Sequence, residues 1–182
     1  VQYPAVCNAM ETLLVNENIV GRFLPPMAAK YEAAGVELRG DQASREIVKM
    51  NVASIEEWDT EYNDLILSIK VVRDIDDAIR FINKHGSHHS DAIVTNDVLR
   101  AERFMNEVDS SSVMWNASTR FADGYRYGLG AEVGISTNKT HARGPVGLEG
   151  LIIYKWKLFG KGHVVNDYVG PHARQFTHRK LL

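Results

Sequence analysis

The sequence predicts an α/β fold built on parallel strands. Short apolar runs at residues 65–72, 91–95 and 112–116 alternate with stretches of helical periodicity. Such runs, rich in β-branched residues, are typical of well-buried strands. Strands that alternate with helices of this length indicate parallel βαβ units. The chain of 182 residues is 45% hydrophobic, which is enough for one domain with its own core.

The first helix between these runs carries both a start and a stop signal. Asp74 is placed to cap its N-terminus, Asp77 is an acidic third residue, and Gly86 is a natural C-cap. Apolar residues at positions 75, 78, 79 and 82 form one face. We therefore expect an amphipathic helix between the strands at 65–72 and 91–95.

The second intervening helix is expected to start at Asn96 or Asp97, either of which can cap it. Its apolar spacing predicts one buried face. The residues assigned to that face are Val98, Ala101, Met105 and Val108.

The beginning of the chain continues the same pattern. A helix is predicted over residues 17–34, broken or kinked at Pro25-Pro26, followed by a strand at 36–39. Asp41 then caps a further helix. Residues 51–63 are polar and are expected to be irregular.

The end of the chain differs in composition. Seven of the 14 glycines lie between residues 121 and 150, which predicts loops. Residues 151–159 alternate along their length and predict one long strand before a hairpin or sharp bend. We expect residues 1–150 to form one domain and 151–182 a C-terminal β extension. That strand is either a dimerisation edge or an edge packed on this chain's own core.

Charge and composition exclude several classes of protein. Lysine and arginine number 21 against 23 acidic residues, a net charge of −2, so neither nucleic acid nor an anionic membrane is expected as a partner. The sequence contains no apolar run long enough to span a membrane. One cysteine excludes an internal disulfide framework and fits a reducing, cytoplasmic location.

Cys7 is the candidate nucleophile. Ala5 and Ala9 leave room for an approaching substrate. If the polar stretch after Cys7 opens a helix, the free N–H groups would stabilise a thiolate, and the thiol would react faster than an ordinary one at neutral pH. The alternative is an inert core cysteine.

Asn116, Ser118, Thr119 and Arg120 directly follow a predicted strand, where ligands of α/β sheets commonly bind. Amide, hydroxyl and guanidinium groups together suit an anion, and Arg143 could supply a second contact. The alternatives are a solvated turn and a surface ion pair.

Two other kinds of site are not expected. The histidine cluster at His85, His88 and His89 has spacings that need loop geometry and lacks flanking cysteines, so no metal site is predicted. A polar turn into the next strand explains His89 as well. Gly128, Gly130 and Gly134 do not have the spacing of a dinucleotide-binding loop.

Five motifs, taken in order, resemble the γ-glutamyl phosphate reductase family, a branch of the aldehyde dehydrogenase superfamily. The same domain occurs in bifunctional pyrroline-5-carboxylate synthases. The motifs are Pro4-x-x-Cys7-Asn8-x-x-Glu11-Thr12-Leu13-Leu14, His85-Gly86-Ser87-x-His89-Ser90-Asp91-x-Ile93, Asn116-Ala117-Ser118-Thr119-Arg120-Phe121-x-Asp123-Gly124, Gly128-Leu129-Gly130-Ala131-Glu132 and His141-Ala142-Arg143-Gly144-Pro145-x-Gly147-Leu148-Glu149-Gly150.

The resemblance implies a reaction and a set of roles. Cys7 would attack γ-glutamyl phosphate and expel phosphate, and the thioester would be reduced to glutamate 5-semialdehyde, an intermediate of proline synthesis. Arg120 and Arg143 would bind the acidic substrate with help from Ser118, Thr119 and Asn116. Glu61 would touch the ribose of the cofactor.

The resemblance also implies what this chain does not supply. NADP(H) is expected to bind mainly to an N-terminal domain that precedes the cysteine in this family, so the isolated chain should neither bind NADPH nor reduce substrate. No metal is implied. The expected partners are a small-molecule substrate, further copies in a homo-oligomer and a glutamate 5-kinase, as a pathway partner or a fused domain.

Two other functions stay open at this point. The chain could be a non-catalytic fragment that serves as an oligomerisation module. It could also belong to an aldehyde dehydrogenase that acts on another anionic aldehyde.

Overall fold

A four-stranded parallel sheet organises the first half of the chain. The structure, a computed structural model, describes residues 1–139 and 142–180, which divide into Val1–Leu151 and Ile152–Leu182. The strand order is β1-β4-β2-β3. These strands are β1 at Thr12–Asn16, β2 at Glu37–Gly40, β3 at Asn51–Val52 and β4 at Ile66–Val72.

The core of this sheet lies between the central strand β4 and helix α1, Glu17–Ala33. Thr12 of β1 pairs with Ser68 of β4, and the next pair joins Leu13 to Ile69. Ile69 and Leu24 are completely buried in the cluster that the helix and sheet form together. Burial of the apolar face of α1 against the sheet is the main term that stabilises this layer.

Helix α1 is not broken at Pro25-Pro26. The assigned helix runs through both prolines. Each proline lacks the N–H that would bond to a carbonyl one turn earlier, at Gly21 and Arg22. Those two residues are exposed, so water can satisfy their carbonyl groups.

A second, two-stranded parallel sheet contains one of the predicted βαβ units, whereas the predicted strand at residues 65–72 belongs to the first sheet. Helix α3, Ile75–His85, precedes β5, Ser90–Ile93, and α4, Val98–Glu107, leads into β6, Ser112–Trp115. The side chain of Asp74 accepts a hydrogen bond from Asp77 N (2.8 Å) and that of Asp97 from Arg100 N (3.1 Å). The short helix α2, Gln42–Arg45, is likewise capped by Asp41. The three predicted aspartate caps are therefore confirmed.

The buried face of α4 differs from the prediction in part. Ala101, Phe104 and Val108 are buried, whereas Val98 and Met105 are exposed. Phe104 and Val108 pack with Ile79 of α3, so the face is set by the neighbouring helix rather than by the apolar pattern alone. The prediction that Val98 and Met105 are buried is wrong.

The glycine-rich segment forms loops around a short antiparallel pair. Strand β7, Gly134–Ser136, pairs with β8, Gly144–Val146. Gly128 and Gly130 have φ angles of 78° and 73°, a region that glycine adopts at no steric cost. The pair β7–β8 and the short strand β3 were not expected from the sequence.

Residues 152–180 carry one 3₁₀ turn, at Val165–Tyr168, and no assigned strand. The strand predicted for residues 151–159 is thus not present in the single chain, because a strand requires a neighbour to pair with its N–H and C=O groups. Ile153, Trp156 and Leu158 are 97%, 91% and 99% exposed. Within the described residues, no helix is both long and apolar enough to cross a membrane.

Candidate active site

Cys7 lies in a series of turns that leads into strand β1. Ala9 N donates to Val6 O (2.9 Å), which closes one turn around the thiol. The chain then continues into β1 without forming a helix, so the helix N-terminus expected beside the thiol is not there. Cys7 itself is an exposed free cysteine.

The residue after the thiol connects Cys7 to a distant segment. Asn8 is buried, and its side-chain Nδ2 donates to Ala122 O (2.9 Å). Thr119 Oγ1 donates to Asn8 O (2.7 Å), and the guanidinium Nη1 of Arg120 donates to Asn8 Oδ1. Two of the predicted anion-binding residues, Thr119 and Arg120, are therefore held directly beside the nucleophile.

A sharp reversal after β6 brings this segment back to Cys7. Asn116 has a φ of 51°, and its side chain bonds to both the N and the O of Thr95 (2.9 Å each). Ser118 then caps the 3₁₀ turn Thr119–Phe121 by accepting from Arg120 N (3.2 Å). Asn116 thus closes a turn at the end of the β5–β6 pair, and Ser118 shapes the turn that carries Arg120.

The electrostatic environment of Cys7 does not favour a thiolate. Burial raises the pKa of the Cys7 thiol, the carboxylates of Glu132 and Glu61 raise it further, and Arg120 opposes them. The structure gives the activated thiol predicted from the sequence no support, because Glu132 and Glu61 rather than a helix N-terminus act on the sulfur.

Glu61 lies within electrostatic reach of two site residues. It acts on Cys7 and also on Glu11, whose pKa is raised to about 7 by burial and by the Glu61 charge. The exposed Glu61 carboxylate lies in the segment that precedes β4, and its charge reaches the thiol.

Glu132 is a site residue that sequence reasoning did not single out. Its Oε2 accepts a hydrogen bond from Gly124 N (2.7 Å). A Cβ at Gly124 would lie 2.7 Å from the backbone oxygen of Ala131, so a glycine is needed for this loop to close. The only sequence signal for Glu132 is its place in a family motif, which gives no role.

Arg143 pairs with Asp109. Its Nη1 donates to Asp109 Oδ1 (2.9 Å) and its Nη2 to Asp109 O (3.0 Å), while Lys139 also pairs with Asp109. These two cations hold the pKa of the Asp109 carboxyl below its usual range. The structure thus favours the ion-pair interpretation of Arg143 over a substrate contact.

The clustered histidines have separate partners. His85 Nδ1 pairs with Asp59 Oδ1 (2.7 Å), His88 Nδ1 with Asp109 O (2.6 Å) and His89 Nδ1 with Ser90 Oγ (2.7 Å). Within residues 1–139 and 142–180, no three His, Cys, Asp or Glu side chains are grouped so that they could hold a metal ion.

The fold and the sequence define a class of protein. A profile of the aldehyde dehydrogenase family matches residues 47–131. The fold resembles a propionaldehyde dehydrogenase from Clostridium phytofermentans, with a TM-score of 0.55 over 80% of this chain and 41% of that one, at 15% identity. The class is the aldehyde dehydrogenase superfamily.

More similar proteins narrow this class. The chain is 62% identical over its whole length to γ-glutamyl phosphate reductase of Methanosarcina mazei, of which it covers 42%, and 59% identical over 99% of its length to that of a Cyanothece species, again covering 42%. The crystal structure of the Thermotoga maritima protein of that name covers 90% of this chain with a TM-score of 0.85 and 48% identity; this chain covers 40% of it. The chain belongs to the γ-glutamyl phosphate reductase family and spans less than half the length of these relatives.

Proposed function

We propose that the protein containing this chain reduces γ-glutamyl phosphate to glutamate 5-semialdehyde and phosphate, a reaction of proline biosynthesis. This chain supplies the nucleophile. The observation that carries the proposal is the hydrogen-bonded connection between Asn8, next to the thiol of Cys7, and the guanidinium of Arg120. A thiol beside a fixed cation suits an acyl phosphate, and the family membership supports the same substrate.

The first step uses Cys7 as the attacking group. The deprotonated sulfur forms a bond to the acyl carbon, the bond from that carbon to the phosphate oxygen breaks, and the leaving oxygen keeps the electron pair as inorganic phosphate. The product is a thioester on Cys7. A thiolate suits both halves of the reaction because it attacks well and leaves readily.

Arg120 and Thr119 bind the anionic part of the substrate in this proposal. A guanidinium has five N–H donors, and one of them anchors Arg120 to Asn8. A second group of its fork can meet a phosphate or carboxylate oxygen. Its charge also lowers the pKa of the Cys7 thiol, against the two carboxylates. Ser118 contributes by shaping the turn.

Completion of the reaction needs a hydride donor, and NADPH is the proposed one. When bound, NADPH supplies the hydride that converts the thioester to the aldehyde and releases the sulfur. Glu61 is the proposed contact to the ribose of this cofactor, because its carboxylate is exposed, its charge reaches the thiol, and it can accept hydrogen bonds from ribose hydroxyls. Most of the nucleotide is proposed to bind to parts of the longer relatives that this chain does not span.

The remaining assignments concern assembly and location. We propose that residues 1–150 act as the catalytic part and that residues 151–182 join copies of the protein in a homo-oligomer. The exposed apolar side chains of Ile153, Trp156 and Leu158 support this role. A cytoplasmic enzyme with a glutamate 5-kinase as partner or fused domain is also proposed, since phosphoryl transfer to the side-chain carboxylate of glutamate makes the acyl phosphate substrate.

The replacement Cys7→Ser in the full-length protein tests the function. We expect semialdehyde formation from γ-glutamyl phosphate and NADPH to fall at least about 1,000-fold, since a hydroxyl is a much weaker nucleophile here. Undiminished turnover would exclude Cys7 as the nucleophile. If the wild type acts on a free anionic aldehyde in preference to the acyl phosphate, the protein is a different aldehyde dehydrogenase. If the wild type has neither activity, the result favours an oligomerisation module.

A further inference from the structure

His89 is the most deeply buried of the three histidines at positions 85, 88 and 89. It lies immediately before β5 and is 6% exposed. Its backbone oxygen accepts hydrogen bonds from Ser112 N (3.0 Å) and Ser111 Oγ (2.6 Å), so its main chain is fixed to the start of β6. The bend at His89 leads into β5 as the sequence predicts, but its side chain is buried rather than exposed to solvent.

The imidazole of His89 uses only one of its two nitrogens. Nδ1 pairs with Ser90 Oγ (2.7 Å). Nε2 is closed off from solvent and has no hydrogen-bond partner within residues 1–139 and 142–180. Buried polar atoms are nearly always hydrogen-bonded, and an exception calls for a physical reason.

The loop at residues 122–127 connects the surroundings of His89 with those of the nucleophile. At its start, Ala122 O accepts from Asn8 Nδ2 (2.9 Å), next to Cys7. Further along, the hydroxyl of Tyr127 donates to Ser112 Oγ (2.9 Å). Ser112 also binds the backbone of His89, so this loop is hydrogen-bonded both to the residue beside Cys7 and to the residue that holds His89.

The same carboxylates face the imidazole and the thiol. Glu132 and Glu61 act on His89 as they act on Cys7, and Asp91 acts on His89 as well. All three would favour a charged imidazole, but burial dominates and lowers the pKa of His89. The ring is therefore neutral at pH 7, and only one of its nitrogens carries a proton.

We infer that Nε2 of His89 is a binding group of the Cys7 site, which donates a hydrogen bond to an oxygen of the acyl phosphate substrate. This inference rests on the proposed function. In this proposal the Ser90 hydroxyl is the donor and Nδ1 the acceptor of their hydrogen bond, which leaves the proton on Nε2. Because Nε2 is closed off from solvent, the substrate oxygen reaches it only when the covering side chains move aside.

Two replacements separate binding from a structural role in the full-length protein. The amide nitrogen of glutamine can take the place of Nε2, whereas the shorter asparagine can reproduce only the position of Nδ1. We expect His89→Asn to lower kcat/KM for γ-glutamyl phosphate about 100-fold, the usual effect of losing one hydrogen-bond donor in an active site. His89→Gln should keep most of the wild-type kcat/KM. Equal losses in both variants, or loss that merely follows a lowered melting temperature, would overturn the inference.

A second measurement does not depend on turnover. Long-range ¹H–¹⁵N spectra of the protein labelled with ¹⁵N-histidine, assigned with His89→Gln, report which nitrogen carries the proton. We expect a neutral ring protonated on Nε2; a proton on Nδ1 would overturn the inference. Failure of the proposed function is recognised separately, because the wild type would then not reduce γ-glutamyl phosphate or Cys7→Ser would keep wild-type turnover.

Discussion

The guanidinium of Arg120 donates to the side-chain oxygen of Asn8, a residue 112 positions earlier in the chain. The contact joins the cation to the residue that follows the nucleophile. Its consequence is that the distance between the anion-binding group and the sulfur of Cys7 depends on one buried asparagine rather than on two independent loops.

Replacement of Arg120 by lysine should weaken substrate binding in the full-length protein. A lysine has one point charge in place of a planar fork, so it cannot hold Asn8 and a substrate oxygen together. We expect KM for γ-glutamyl phosphate to rise about 10- to 100-fold in steady-state assays. Arg100→Lys, at an exposed residue of α4 paired with Asp97, is the matched control and should change little. An unchanged KM in Arg120→Lys would exclude the assigned contact.

Cys7 should react slowly with iodoacetamide at neutral pH. Its pKa is raised by burial and then by Glu132, so the thiolate fraction is below that of an ordinary thiol. Glu132→Gln removes a negative charge that disfavours the thiolate, and we expect a two- to threefold faster reaction at pH 7, roughly the effect of one screened charge. Glu32→Gln, at an exposed position at the end of α1, serves as control. Faster alkylation of the wild type than of a free cysteine would contradict this prediction.

Glu11 should make stability depend on pH. Its folded-state pKa is raised to about 7 from 4.5 by burial and by Glu61. The folded state therefore holds a proton that the unfolded state releases, so this contribution is present below about pH 4.5 and is lost as pH rises through 7. For a half-exposed group the loss is about 1–2 kcal/mol after solvent screening.

Urea unfolding at pH 5 and pH 8 measures this effect. Glu11→Gln should flatten the difference between the two pH values, because its amide does not titrate, whereas Glu32→Gln should leave the difference as in the wild type. Identical pH dependence in wild type and Glu11→Gln would show that Glu11 titrates normally.

The 182-residue chain on its own should neither bind NADPH nor reduce substrate. It spans 42% of the length of its relatives and offers Glu61 as its proposed cofactor contact. Isothermal titration with NADPH and an assay of semialdehyde formation check both statements, with the full-length protein as positive control. Robust turnover by the chain alone would contradict the proposed division of the site.

Leu158→Ser in the full-length protein should weaken its self-association. Leu158 is 99% exposed in the single chain, in an apolar segment that needs a partner. Light scattering at several concentrations should show a smaller species in this variant. Val94→Ser, at an apolar residue that is 88% exposed in the other part of the chain, is the control. If Leu158→Ser has the same mass as the Val94→Ser control, the C-terminal segment is not the interface.

The features that depend only on neighbouring residues were predicted correctly from the sequence. Asp74 and Asp97 cap helices because a side chain bonds to an N–H three residues further on, which needs no tertiary context. The buried face of α4 needed the position of α3, and the strand expected at 151–159 needed a neighbour. Both depend on parts of the fold distant in sequence.

For the site, the sequence predicted candidate residues but not which of them lie beside Cys7. Arg120 and Arg143 stand in similarly small, polar surroundings, yet one bonds to Asn8 and the other to Asp109. Only the fold distinguishes them. Glu132 and His89 carried no local signal for a role, since their importance arises from the surrounding charges and from the burial of the imidazole.

The register of the parallel sheet acts on the chemistry as well as on the core. Thr12 of β1 pairs with Ser68 of β4, and Cys7 and Glu61 lie in the segments that enter these two strands. A slip of one residue would shift Glu61 along the strand by about 3.3 Å relative to the sulfur and turn Ile69 away from the core. The buried side chains that prevent such a slip therefore also set the spacing between thiol and carboxylate, so a repacked core can alter reactivity without touching either residue.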